Sequence, residues 1–307
     1  MRETSHAPVQ NITAGMALAL CGFGMLSMGD GVIKSLAGEW PGTAVAALRY
    51  VFGAMGLGVL LFLREGRAGF RLPKPGAQLA RGFFVALATL AFFVSIFVMP
   101  LATATSIQFI NPMLTAIISA IWLKEAAGRT TWIATLLAFV GVLIVLRPNF
   151  AELGWMAVLP LVAAFGLSAM MIANRSVAGS GGVLLMQFLI SAIAAPFLIL
   201  ASIAGHFSGI EGFAVGLPGW HVIGVCALVG VTASVSHMLI YLATARASAA
   251  NVAPMVYVQL LVALAIGMLF YGDFPDLVAL GGSVLIVASG LWLWRRNKLS
   301  ASIAPSE

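Results

Sequence analysis

Leu101–Glu125 reads LATATSIQFINPMLTAIISAIWLKE. It is an apolar run holding Ser106, Gln108 and Asn111, then Pro112, and it closes on Lys124-Glu125. Shifted by 148 positions the chain reads AANVAPMVYVQLLVALAIGMLFYGD over Ala249–Asp273. Phe109 falls on Tyr257, Asn111 on Gln259, Trp122 on Phe270 and Glu125 on Asp273. Identities are few, and two apolar helices resemble each other by default, so the residues after each copy carry weight. Both copies lead through a short polar turn into a Gly-punctuated helix (Thr131–Leu146; Leu277–Trp294) and then a basic end, Arg147 or Arg295-Arg296. The chain reads as two halves with one plan.

Composition sets the class. The 307 residues are 61% hydrophobic and 8% charged, against roughly 25% charged in a soluble domain. So few charges cannot cover a soluble surface of this size, and uncharged apolar runs of about 20 residues are membrane-spanning helices. The net charge of +6 comes mostly from short loops between spans, which points to orientation in a membrane, and no nucleic acid is expected as a partner. Cys21 and Cys226 lie inside apolar runs and read as small buried residues, not as a disulfide or a metal site. No cleavable signal is expected: Met1–Asn11 is polar, and the first apolar run is too long for a signal peptide.

Ten spans are predicted, at roughly 13–35, 42–63, 78–99, 102–123, 131–147, 154–174, 183–205, 219–242, 248–271 and 277–295. Orientation is set by Lys and Arg. With the N-terminus in the cytoplasm, that side holds Arg2, Arg64, Arg67, Arg71, Lys74, Arg81, Lys124, Arg129, Arg175, Arg246, Arg295, Arg296 and Lys298. The far side holds only Arg147, and Lys34 and Arg49 are embedded, which accounts for all 16 basic residues. Both termini are therefore expected in the cytoplasm of a cell inner membrane, with His206–Trp220 outside. Five spans per half place the second half upside down relative to the first. Lys34-Ser35-Leu36-Ala37-Gly38 and Arg175-Ser176-Val177-Ala178-Gly179 end the first helix of each half. The expected fold is an all-α integral membrane protein of ten transmembrane helices as two inverted five-helix repeats, residues 12–147 and 153–296. Inverted repeats are a common transporter architecture, with the substrate near the midplane.

A more specific resemblance rests on Met28-Gly29-Asp30 with Lys34, Ala47-Leu48-Arg49-Tyr50, Pro100-Leu101-Ala102-Thr103-Ala104-Thr105 leading to Phe109 and Pro112, and Lys124-Glu125. In the second half it rests on His237, Ala253-Pro254 with Tyr257 and Leu261, and Gly272-Asp273. In these features the chain resembles the drug/metabolite transporter superfamily, in its EamA-like branch of ten-helix carriers, over residues 12–296. Ser236 stands where many members have Gly, and Met255 where many have Phe. These departures leave the fold intact and weaken transfer of a particular substrate. The resemblance implies carriage of small metabolites, often amino acids or related compounds and often outward.

The chemistry lies in few residues. Asp30 and Lys34 are four apart on one helix face and can pair. Asp30 and Arg49 lie at similar depth by hairpin geometry, Arg49 about 10 Å below the outer surface at 1.5 Å per residue. A charge at depth faces a cavity or a partner. These charges either line a pathway that meets the carboxylate and ammonium of a zwitterion, or form an internal salt bridge with Lys34 reaching to the surface. His237, deep in the eighth span, can bond substrate, relay a proton or hold a neighbouring helix. Ser106, Gln108, Asn111, Tyr257 and Gln259 can line a central cavity or bond helix to helix. Asn111 and Gln259 are the pair that is polar in both halves. Glu125 and Asp273 read as solvated span ends, and Gly53, Gly56 and Gly58 as packing residues.

No enzyme is expected. H-E-x-x-H, G-x-S-x-G and G-x-x-x-x-G-K-[ST] are absent. Gly179-Ser180-Gly181 with His237 is a weak candidate for an intramembrane protease, because Ser180 lies in a loop. No cofactor is expected, and without an ATP motif transport is driven by a gradient or is passive. The reading is a secondary transporter, monomeric or a weak homodimer, with a non-transporting membrane sensor or assembly protein as the alternative.

Overall fold

A backbone in lipid must satisfy its own hydrogen bonds, so long apolar runs fold as helices. The computed structural model describes residues 12–122, 129–246 and 253–303, whose regular elements are helices with no strand. The helices are α1 (Ile12–Lys34), α2 (Gly42–Glu65), α3 (Pro75–Val98), α4 (Leu101–Gln108), α5 (Asn111–Trp122), α6 (Arg129–Leu153), α7 (Leu159–Val177), α8 (Val183–Phe207), α9 (Trp220–Arg246), α10 (Val258–Ile266) and α11 (Leu277–Ile303). Among the described residues, eight helical segments are long and apolar enough to cross a membrane, and Trp132–Val145 and Met255–Tyr271 are shorter apolar helices. Leu63, Leu136, Leu200 and Val284 are each more than half exposed. An apolar exterior of this kind fits lipid, not water, and the chain is a multi-pass membrane protein.

Two expected spans are not continuous. The fourth breaks at Phe109-Ile110, between α4 and α5. Pro112 has no N–H to offer the carbonyl of Gln108, so the helix restarts at Asn111. The ninth begins as a 3-10 turn at Ala253–Tyr257, runs through α10, and ends in a π turn at Gly267–Tyr271. The fifth runs past its expected end, through Pro148 to Leu153, and the chain then turns at Gly154, where φ is +56°.

Helices α1 and α9 pack closely, as do α3 and α7. Helix α2 packs on α8 and α9, and α8 also packs on α3. Helix α6 packs on α11, α1 on α10, and α4 and α5 on α7. One buried cluster joins Ile33, Phe92, Phe93, Ile96, Leu198 and Val229; a second joins Ile107, Phe109, Ile110, Met113, Val142 and Ile286. The α6–α11 contact depends on missing side chains. A Cβ on Gly141 would fall 2.8 Å from the Gly282 carbonyl oxygen, and one on Gly282 the same distance from that of Gly141. Without a hydrophobic drive between helices in lipid, such close backbone approach supplies the packing energy.

Candidate functional site

Arg49 sits two turns into α2, half-buried. Its guanidinium carbon lies 5.3 Å from the ring centroids of both Tyr50 and Phe93. The Tyr50 hydroxyl shares a 2.9 Å hydrogen bond with the Thr89 hydroxyl, which fixes that ring against α3. A cation over aromatic faces gains about 0.5–2 kcal/mol and keeps its N–H donors available. Asp30 on α1 and His237 on α9 both lie within electrostatic range of Arg49. Arg49 thus influences one carboxylate and one imidazole carried on two other helices. Among the described residues no ion pair within 4 Å joins Arg49 to Asp30, so a closed salt bridge does not consume these charges. His237 lies about two-thirds of the way along α9 and is exposed.

The polar residues of the fourth and ninth spans divide. Ser106 is buried; its hydroxyl bonds the Ala102 carbonyl, and Ser283 on α11 donates to it at 2.8 Å. Asn111 accepts from the Thr115 hydroxyl through its side chain and from the Ser168 hydroxyl on α7 through its carbonyl, at 3.0 Å. The Gln259 carbonyl accepts from the Ser27 hydroxyl on α1 at 2.8 Å. Tyr257 meets Phe109 edge to face, with ring centroids 5.3 Å apart. Gln108 and the Gln259 side chain are half-buried and make no hydrogen bond among the described residues. Asn111 and Gln259 do not bond each other; each joins its span to a different helix.

Elsewhere the structure departs from what the sequence predicts. Lys34 does not pair with Asp30: its ammonium lies 2.5 Å from Asp273. Asp273 is therefore not simply solvated, with its side chain 22% exposed. Their separation in sequence hid this ion pair, although the likeness of the two span ends marked both positions. Arg81, counted on the cytoplasmic side at the start of the third expected span, lies within α3 and is 5% exposed. It donates to Asn174 on α7 and to Gln78. The three-residue spacing of Gln78 and Arg81 on one helix face was the available signal. Cys226 is buried as expected, whereas Cys21 is exposed, and neither is in a disulfide. Glu125 and Lys124 lie outside the described residues. Among the described residues no group of three or more His, Cys, Asp or Glu could hold a metal.

Residues 13–147 match the EamA-like transporter family. The whole chain is similar to a riboflavin transporter of Rhizobium johnstonii, at 26% identity over 97% of this chain and 96% of that one. It is similar to an S-adenosylmethionine uptake transporter of Rickettsia bellii, at 22% over 90% and 91%. It is also similar to a pseudopaline exporter of Pseudomonas aeruginosa, at 25% over 94% and 98%. These relatives are transporters, not enzymes. A solved structure titled only as the crystal structure of a protein covers 92% of this chain and 98% of its own at a TM-score of 0.56 and 18% identity, a likeness of fold.

Proposed function

We propose that the chain, whose residues 13–147 match the EamA-like transporter family, is an alternating-access secondary transporter of small metabolites of the drug/metabolite transporter superfamily. Its ten spans form two inverted repeats, residues 12–147 and 153–296, with α4 and α5 making one span and residues 253–271 another. Paired hydrogen bonds support this. A shift of 141 carries Lys34 onto Arg175 and Ser27 onto Ser168, and the shift of 148 carries Asn111 onto Gln259. Ser27 donates to the carbonyl of Gln259, and Ser168, whose hydroxyl is also 2.8 Å from the Ala164 carbonyl of its own helix, reaches that of Asn111 at 3.0 Å. The same bond thus occurs twice, with the halves exchanged. Phe109 and Tyr257, mates under the 148 shift, touch each other as residues beside a two-fold axis would. The matching helix contacts, α1 on α9 with α7 on α3 and α2 on α9 with α8 on α3, fit the same relation.

The pathway runs past Asp30, Arg49 and His237, with the amides of Gln108 and Gln259 beside it. Ser106, Asn111 and Tyr257 shape its wall while joining helices. The observation that carries the substrate class is the Arg49 guanidinium, held on two rings without an acidic contact. It suits a carboxylate, with Asp30 nearby for an ammonium group, so the cargo is an amino acid or related zwitterion. Transport is outward across the cytoplasmic membrane, with both termini inside.

A thermal-shift screen of purified protein with amino acids, amines and nucleosides tests this, because a specific ligand stabilises by mass action. An amino acid is expected to raise the melting temperature of the wild type and not of Arg49→Gln, and to leave preloaded proteoliposomes when a gradient is applied. Losing a charge-assisted bond of about 1.5–3 kcal/mol weakens binding roughly 10- to 100-fold. Equal ligand stabilisation of Arg49→Gln would remove Arg49 from the site.

A further inference from the structure

We propose that Lys34 is a two-position switch: it pairs with Asp273 to hold the outer end shut, and exchanges Asp273 for Asp30 when that end opens. This rests on the alternating-access reading and on the topology that puts the end of α1 outside.

The shut position is built from three parts of the chain. The Lys34 ammonium contacts the Asp273 carboxylate at 2.5 Å and donates to the Met99 carbonyl, just past α3, at 3.2 Å. It also lies 4.9 Å from the centroid of the Tyr271 ring. The Tyr271 hydroxyl donates back to the Gly31 carbonyl on α1 at 2.6 Å. One ammonium therefore gathers the ends of α1 and α3 and the turn after α10. A cation suits the carbonyl end of α3. Asp273 is presented by the π turn at Gly267–Tyr271 and by Gly272, whose φ of +66° sends the chain back toward α1. The Asp273 N–H then bonds the Gly267 carbonyl at 2.9 Å. Such π turns interrupt helices at functional positions.

The second position lies one turn deeper. Asp30 precedes Lys34 by four residues, the favourable order for an acid–base pair on a helix. Asp30 makes no ion pair or hydrogen bond among the described residues. Parting α1 from the turn after α10 would strand Lys34, 11% exposed, without a counter-ion, and an unpaired charge in such a place is costly. The flexible four-carbon stem lets the ammonium turn inward to Asp30. The switch then ties the outer closure to the carboxylate beside Arg49. In sequence, the shifts of 141 and 148 map Lys34 and Asp273 onto Arg175 and Glu125, again a cation and an acid.

The two partners predict opposite effects, read as a distance between spin labels at Ser208→Cys and Phe274→Cys in protein lacking Cys21 and Cys226, held in lipid nanodiscs. Ser208 and Phe274 are both exposed. Asp273→Asn is expected to raise the ratio of long to short distances roughly fivefold, the size of one partly exposed ion pair. Asp30→Asn is expected to lower it. Where Asp273→Asn does not fold, Lys34→Gln with Asp273→Asn leaves no stranded charge at the joint and is expected to lengthen the distance likewise. Unchanged distances in the Asp273 variants, or an Asp30→Asn shift that is absent or in the same direction, would overturn the proposal. The readout needs no substrate, so it fails or succeeds separately from the assignment of cargo.

Discussion

Arg49 shows how a single residue can be legible in kind and hidden in detail. A charge deep in an apolar run announces a cavity or a partner. That its partners are the faces of Tyr50 and Phe93 depends on how α2 meets α3. Ser27 and Ser168 invert the case: small hydroxyls in apolar helices attract little notice, yet each bonds the carbonyl of an interrupted span. Interhelical hydrogen bonds in membranes average about 0.6 kcal/mol. Ser27→Ala and Ser168→Ala are expected to lower unfolding stability by similar amounts of this order, measured by denaturation in mixed micelles. A large effect at one serine and none at the other would argue against equivalence of the two bonds.

At the scale of elements, interruption and close approach set the architecture. The fourth span breaks at Phe109-Ile110, and at the matching Tyr257-Val258 the 3-10 turn of the ninth gives way to α10. Discontinuous helices at a repeat interface leave backbone and polar groups free to face a substrate. Elsewhere the helices are continuous and held by close contact, as at Gly141 and Gly282. Gly141→Leu is expected to force α6 from α11 and cost about 1–3 kcal/mol, the usual penalty for overpacking. A lower melting temperature with unchanged helical circular dichroism is the expected result; an unchanged melting temperature would mean that the two helices can part freely.

For the whole molecule, the distribution of basic residues is the main guide to orientation. Cysteine placed at Ser208, in a background without Cys21 and Cys226, is expected to react with a membrane-impermeant reagent in intact cells. Protection there, with labelling only after lysis, would invert the topology. Arg81 adds a physical qualification to such tallies. Charge counts treat a cation near a span end as solvated, whereas Arg81 is enclosed by Asn174 and Gln78.

Sequence alone determined that this chain crosses a membrane repeatedly and that Asp30, Arg49 and His237 are the embedded groups to explain. These properties are carried by composition and by position along a helix, which hydrophobic length and charge spacing report directly. Tertiary structure alone decided which side chains meet: Lys34 with Asp273 and not its helix neighbour Asp30, Ser27 with Gln259, and Arg49 with Phe93. Ser27 and Gln259, and Lys34 and Asp273, are more than 200 residues apart, and their contact depends on helix rotation and crossing. In lipid those are set by small-residue packing and by breaks near proline, which a run of apolar letters does not encode one position at a time.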